Sequence, residues 1–193
     1  MIKKQILLTS TALLLLSGPL LADSCSDTKL DFTFYGAKDK SYVVTKNTFK
    51  SIEIKGDKLE GATATIDLLS IDTSADLSNG KSKWPAMMVK IRDNNTINGL
   101  FKKFTKGDGK ATAKITKVEE KSIDVEITMN GKTETIKMET KKDGKTTVAT
   151  GTLDINKFAP EAFKNFAKLC SGFHKGFSHS EIDLILTITE TCK

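Results

Sequence analysis

Ser122-Ile123-Asp124-Val125-Glu126-Ile127-Thr128-Met129-Asn130-Gly131-Lys132-Thr133-Glu134-Thr135-Ile136-Lys137-Met138 is the stretch that decides the fold class. Both central residues of a type I′ turn need positive φ, and Asn-Gly accepts that at least cost. A two-residue loop at Asn130-Gly131 sets Val125 opposite Ile136 and Ile123 opposite Met138, all on one face. The same register puts Ile127 opposite Glu134. The side chains of a strand repeat every two residues, so this agreement argues for a β-hairpin with one buried face.

Working outward, Asp143-Gly144 marks a second hairpin. On the N-terminal side, Leu30-Asp31-Phe32-Thr33-Phe34-Tyr35 alternates, with Leu30, Phe32 and Phe34 together. Residues 48–55, ended by Gly56-Asp57, and the β-branched run 62–68 read as two more strands. Residues 111–118 form the next, opened by Gly107-Asp108-Gly109. The last strand runs from Glu181 to Glu190 with Ile182, Leu184, Leu186 and Ile188 on one face. Helices are few. Pro85 suits a first helical position ahead of Met87, Met88 and Ile91. Ile97, Leu100, Phe101 and Phe104 give a helical stripe, and residues 160–170 a third helix, stopped by Gly172. Many short strands joined by tight turns predict a mainly β chain, a barrel or a sandwich.

The first 22 residues read as a secretory signal peptide. Lys3 and Lys4 start it, Ile6–Leu16 supplies an apolar run of eleven residues, and Ser17-Gly18-Pro19 breaks the helix before cleavage near Ala22. Eleven residues are too few to span a bilayer, which takes about 20. The remainder, residues 23–193, suits one barrel domain. The expected product is periplasmic and not membrane-spanning. The formal net charge of +6 falls to +4 without Lys3 and Lys4. The charges are scattered singly, with no basic stripe interleaved with aromatics, so nucleic acid is not an expected partner.

Three cysteines in an exported chain suggest one disulfide and one thiol. Cys170 shares a helical face with Phe163 and Phe166 and reads as buried. Cys25 and Cys192 lie near the two ends of the mature chain. If the terminal strands pair antiparallel those ends meet, so a Cys25–Cys192 bridge is expected.

No arrangement of residues argues for catalysis, so no enzyme is expected. The two histidines, His174 and His179, sit in a loop-like segment and read as surface residues rather than as ligands of a metal. No serine occupies a nucleophile elbow. No cofactor is expected. Arg92-Asp93 beside an apolar segment could hold a polar ligand head, although such pairs more often cap a helix end. Trp84, Met87, Met88, Phe101 and Phe104 cluster between the third and fourth strands. Composition and spacing alone assign them to an ordinary core.

The order of several short motifs adds a resemblance. Thr48-Phe49 followed by Ile52, then Gly61 to Thr73, then Ile91-Arg92-Asp93 ahead of Leu100-Phe101, are followed by Met129-Asn130-Gly131-Lys132-Thr133, Gly151 to Phe158, and the final strand from Glu181. In this order they are similar to the YceI-like family of exported, lipocalin-like, polyisoprenoid-binding proteins. The resemblance implies an antiparallel eight-stranded barrel with a few short helices. It implies a soluble binder or carrier of a long-chain amphiphile: a polyisoprenoid, a quinone-like or a fatty-acid-like lipid. The inward apolar set that would line such a pocket is Phe32, Phe34, Ile52, Ile66, Leu68, Trp84, Met88, Ile91, Phe101, Phe104, Val125, Ile136 and Met138, with Arg92 at the head group. The alternative is a stress-response or protein-interaction module whose barrel is filled by its own side chains. A homodimer stays open under either reading.

Overall fold

A computed structural model describes residues 26–56, 58–78 and 87–191. Ten strands form a single antiparallel sheet: β1 (Ser26–Gly36), β2 (Tyr42–Phe49), β3 (Ile52–Lys55), β4 (Thr63–Asp67), β5 (Ile71–Asp72), β6 (Lys110–Val118), β7 (Ser122–Met129), β8 (Lys132–Asp143), β9 (Thr146–Asp154) and β10 (Glu181–Glu190). Their spatial order is β3-β4-β6-β7-β8-β9-β10-β1-β2-β5, and the sheet curls into a half-barrel. Among the described residues four helices accompany it: α1 (Ala75–Ser78), α2 (Met87–Gly99), α3 (Ile155–Phe158) and α4 (Pro160–Leu169). None of the described helices is long and apolar enough to cross a membrane.

The central hairpin forms as its sequence demands. Val125 pairs with Ile136, Ile123 with Met138 and Ile127 with Glu134. Asn130 and Gly131 take φ of 52° and 72°. Asn130 does more than turn the chain. Its Oδ1 accepts from Thr105 N (2.8 Å) and Lys106 N (3.1 Å), and its Nδ2 donates to Phe158 O (3.0 Å). The hairpin tip is thereby tied to two other segments at the same end of the sheet. The second hairpin forms as well: Asp143 pairs with Thr146, which fixes the register and makes Gly144-Lys145 the two-residue loop. Gly144 carries the positive φ, 57°.

The strand count is ten where eight was expected. Two passes of the sheet are each broken in two. Residues 48–55, read as one strand, bend at Lys50-Ser51 and separate β2 from β3. Opposite them, a single 3-10 turn at Leu68–Ser70 separates β4 from β5. Asp67 caps that turn by accepting from Leu69 N, and Ser70 Oγ donates back to Asp67 O (2.7 Å). The two bends stay joined, with Lys50 N on Ser70 O (2.9 Å) and Asp67 N on Ser51 O (3.0 Å). Strong curvature is what forces such breaks in a ladder, because a tightly curled strand cannot keep both faces in register.

The first and last strands are neighbours. Ser26 lies opposite Glu190 and Phe32 opposite Leu184. The termini therefore approach each other as the terminal-bridge argument required, although Cys25 and Cys192 lie outside the described residues. Cys170 is free and buried, beside Phe163 and Phe166 of α4. The stripe Ile97–Phe104 is not one helix. It ends as α2 at Gly99 and continues through a 3-10 turn at Phe101–Lys103. Gly99 sits where α2 meets α4. A Cβ there would lie 2.9 Å from Leu169 Cδ2, and Asn165 Nδ2 donates to Gly99 O (2.8 Å).

Candidate functional site: two cavities inside the sheet

One end of the half-barrel is where β1 starts and β10 ends; the other is where β1 ends, β10 starts and the helices pack. The inward faces do not fill the space between. A cavity of about 370 Å³ occupies the helix-free half, within the size range of ordinary small-ligand pockets. Its wall is almost wholly aliphatic and aromatic. Lys58, Lys114 and Glu190 stand at its rim.

The space comes from small side chains. Ala64 lies directly opposite Ala113, and Ile66 opposite Ala111, across the β4–β6 ladder. With Ala62, these alanines line the cavity, while Thr65 and Thr112 between them face outward and the exposed Thr63 reaches its edge. The alternation Ala62-Thr63-Ala64-Thr65 and Ala111-Thr112-Ala113 was visible in the sequence. A pair of inward alanines leaves a gap about the size of two missing aliphatic side chains, where a filled barrel would carry Val, Ile or Leu.

The second cavity, about 80 Å³, lies at the helix-covered end. Phe32, Phe101, Ile155 and Ile182 line both cavities, so the two abut across a single layer of side chains. The small cavity is mostly apolar and aromatic, with a few polar side chains set in its wall. Phe34, Phe163 and Phe166 contribute rings, and Asn47, Arg92, Asn95 and His174 contribute polar groups. Phe34 meets Phe166 edge-on at 5.7 Å between centroids.

Charge at this end is internally neutralised. Arg92 Nη1 pairs with Asp76 Oδ2 at 3.0 Å, with side chains only 10% and 7% exposed, and Nη2 donates to Thr73 O (3.1 Å). Asp76 Oδ1 also accepts from Thr45 N (3.3 Å). Thr73 Oγ1 donates to Asp93 Oδ1 (2.7 Å). Burial raises the Asp93 pKa, the Thr73 hydrogen bond opposing it. Burial raises Tyr42 as well, with Arg92 pulling the other way. The Cys170 thiol is pushed up to about 11 by burial, against a hydrogen bond from Asn95. Burial pushes His174 down to about 4. Near neutral pH the imidazole and the thiol are both uncharged.

His174 corrects the sequence reading. It is buried rather than on the surface, with Nδ1 2.6 Å from Ser178 Oγ. Tyr42 and Phe34 flank its ring at 4.6 and 5.1 Å. His179 is half-buried, its Nε2 2.8 Å from Ala37 O. Arg92 also departs from the water-facing helix cap. It points inward from the middle of α2.

The thirteen expected pocket residues divide between the cavities. Ile66, Leu68, Val125, Ile136 and Met138 line the large one; Phe34, Met88 and Ile91 the small one; Phe32 and Phe101 both. Ile52 and Phe104 line neither and pack against the core instead. Trp84 lies outside the described residues. The inward face of β10 — Ile182, Leu184, Leu186 and Ile188 — lines the large cavity throughout; its alternation marked one shared face, but none of the four was in the expected pocket set.

Asn47 was not legible. Between Phe32 and Phe34 the β1–β2 register shifts by one residue. Lys46, at φ 55°, is the extra residue. Without this bulge the alternation that buries Val44 would bring Lys46 to the inner face. With it, Asn47 is buried there, 1% exposed.

No family model and no curated protein matches the chain. Among solved structures, a polyisoprenoid-binding domain from Saccharophagus degradans, implicated in plant cell wall breakdown, aligns with a TM-score of 0.54 and 11% identity. The alignment covers 84% of this chain and 94% of that one. Burkholderia cenocepacia BcnA aligns over 82% of this chain and 94% of its own, with 18% identity and a TM-score of 0.47. The first of these likenesses shows that the fold is shared.

Proposed function

From a chain that resembles the YceI-like family in its order of motifs, and shares the fold of a polyisoprenoid-binding domain, we propose a binder or carrier of a long-chain apolar lipid. The large cavity carries this reading. Buried apolar surface stabilises a complex by roughly 25 cal/mol per Å², so a chain enclosed by β4, β6, β7 and β10 is held by its whole length. The cost of immobilising it is subtracted from that gain. The solved polyisoprenoid-binding domain of the same fold makes a prenyl chain the first ligand class to test. The proposal includes export: with residues 1–22 as a secretory signal, the protein works in the periplasm, where an enclosed cavity keeps such a chain out of water. The proposed mechanism is sequestration, with no bond made or broken. The unfilled interior also speaks against the alternative of an interaction module with a filled core.

Purification under native conditions, followed by native mass spectrometry and solvent extraction, tests the proposal. A co-purifying long-chain lipid in stoichiometric amount is the expected result. An empty protein that also fails to take up added prenyl or acyl chains contradicts it.

A further inference from the structure

Asn47 is the least exposed polar side chain in the small cavity, and its orientation is fixed. Its Nδ2 donates to Val44 O (2.8 Å) and Phe32 O (3.1 Å). Both partners are carbonyls, which only accept, so the amide nitrogen must be on that side. Its Oδ1 then has no hydrogen-bond partner among the described residues, and neither has Arg92 Nε. Both residues line the same cavity of about 80 Å³. A buried acceptor left unmet costs about 1–3 kcal/mol, so native proteins rarely keep one without a use. The bulge at Lys46 is what places it there.

The charges around it restrict what can meet it. The cavity wall holds no lysine, and Arg92 is already paired with Asp76. Asp93 stands next to Arg92 in the chain and is held by Thr73. An anion entering this space would meet a guanidinium already balanced by Asp76, with the Asp93 carboxylate next to it in the chain. His174 adds no positive charge near neutral pH. An uncharged group that donates a hydrogen bond meets no such opposition, and a hydroxyl can both donate to Asn47 Oδ1 and accept from a guanidinium N–H.

We propose that the small cavity is the head-group subsite, and that it selects an uncharged hydroxyl-bearing head, an alcohol, over a phosphate or a carboxylate. This rests on the reading of the large cavity as the chain site. The shared layer of Phe32, Phe101, Ile155 and Ile182 is where the first carbons of the chain would pass from one cavity to the other.

The test is a set of calorimetric titrations of the full mature chain with geranylgeraniol, its methyl ether and its diphosphate. The alcohol should bind roughly ten-fold tighter than the ether, which lacks the O–H donor. It should also bind tighter than the diphosphate. In Asn47→Leu, checked for folding by circular dichroism, the alcohol and ether should bind alike. If alcohol and ether bind the native protein equally, the head-group proposal falls while the carrier reading stands. A diphosphate that binds tightest also overturns it. If none of the three binds, both the proposal and the carrier reading fail.

Discussion

The two ends of the half-barrel are built from the same sheet and differ in what their inner faces carry. At the helix-free half the wall is aliphatic and the space comes from alanines: Ala64 against Ala113, with Ala62 and Ala111 beside them. At the helix-covered end the wall is aromatic with a few buried polar side chains set in it, and the space is less than a quarter as large. The first cavity is made by leaving volume out and the second by placing buried polar groups. Under the proposed function, the difference means that one end grips any apolar chain of suitable girth, whereas the other discriminates.

The sharpest way to break this contrast is to fill the large cavity. Ala113→Phe should lower affinity for a prenyl chain at least ten-fold while leaving the melting temperature unchanged or raised. In a filled core the same substitution overpacks and costs about 1–3 kcal/mol. Loss of stability without loss of binding would show that the space is not a ligand site.

The seam at the open end should respond next. Ser26 and Glu190 are paired there, one residue after Cys25 and two before Cys192. With export as proposed, we expect a Cys25–Cys192 bridge, worth about 2–4 kcal/mol. Peptide mapping without reduction should find it, and reduction should lower the melting temperature. A cross-linked peptide containing the buried Cys170 would contradict the assignment.

The helix end is then separable by pH. His174 is 4% exposed and its pKa is pushed from 6.5 down to about 4 by burial. The unfolded chain takes up this proton first as pH falls. The stability supplied by the neutral imidazole is therefore complete above pH 6.5 and lost as pH drops towards 4. The expected loss is roughly 2–3 kcal/mol. His174→Gln should flatten the stability profile across that window; an unchanged slope would mean that His174 is not its source.

The smallest expected effect is at the hairpin tip. Asn130→Asp keeps a side chain that tolerates positive φ and accepts from Thr105 and Lys106, but it cannot donate to Phe158 O. Chemical denaturation should show a loss of about 1–2 kcal/mol. Asn130→Gly should lose more, because all of these bonds go. Equal losses would mean that the bonds from Thr105 and Lys106 add nothing beyond the one to Phe158.

How far the sequence could be read follows the same division. Alternating faces and an Asn-Gly turn are local signals, so β1, β7, β8 and β10 were legible down to the β7–β8 register. The breaks at Lys50-Ser51 and Leu68–Ser70 were not, because they answer to the curvature of the whole sheet. The large cavity was partly visible: some of its bulky residues were picked out, such as Ile66, Val125 and Met138, but the inward face of β10 was left out of the set, and the alanines that open the space carry no apolar signal of their own. The small one was hidden. It depends on a bulge that brings Asn47 inward in place of Lys46, and on the folding of residues 170–179 that buries His174. Neither leaves a pattern in the local spacing.

The central claim is that the large cavity takes an apolar chain, and calorimetry of the mature protein with geranylgeraniol at several temperatures tests it most directly. The account predicts saturable binding of one molecule per chain with a negative heat-capacity change, the mark of apolar surface leaving water. Absence of saturable binding, or binding with no heat-capacity change, would contradict it.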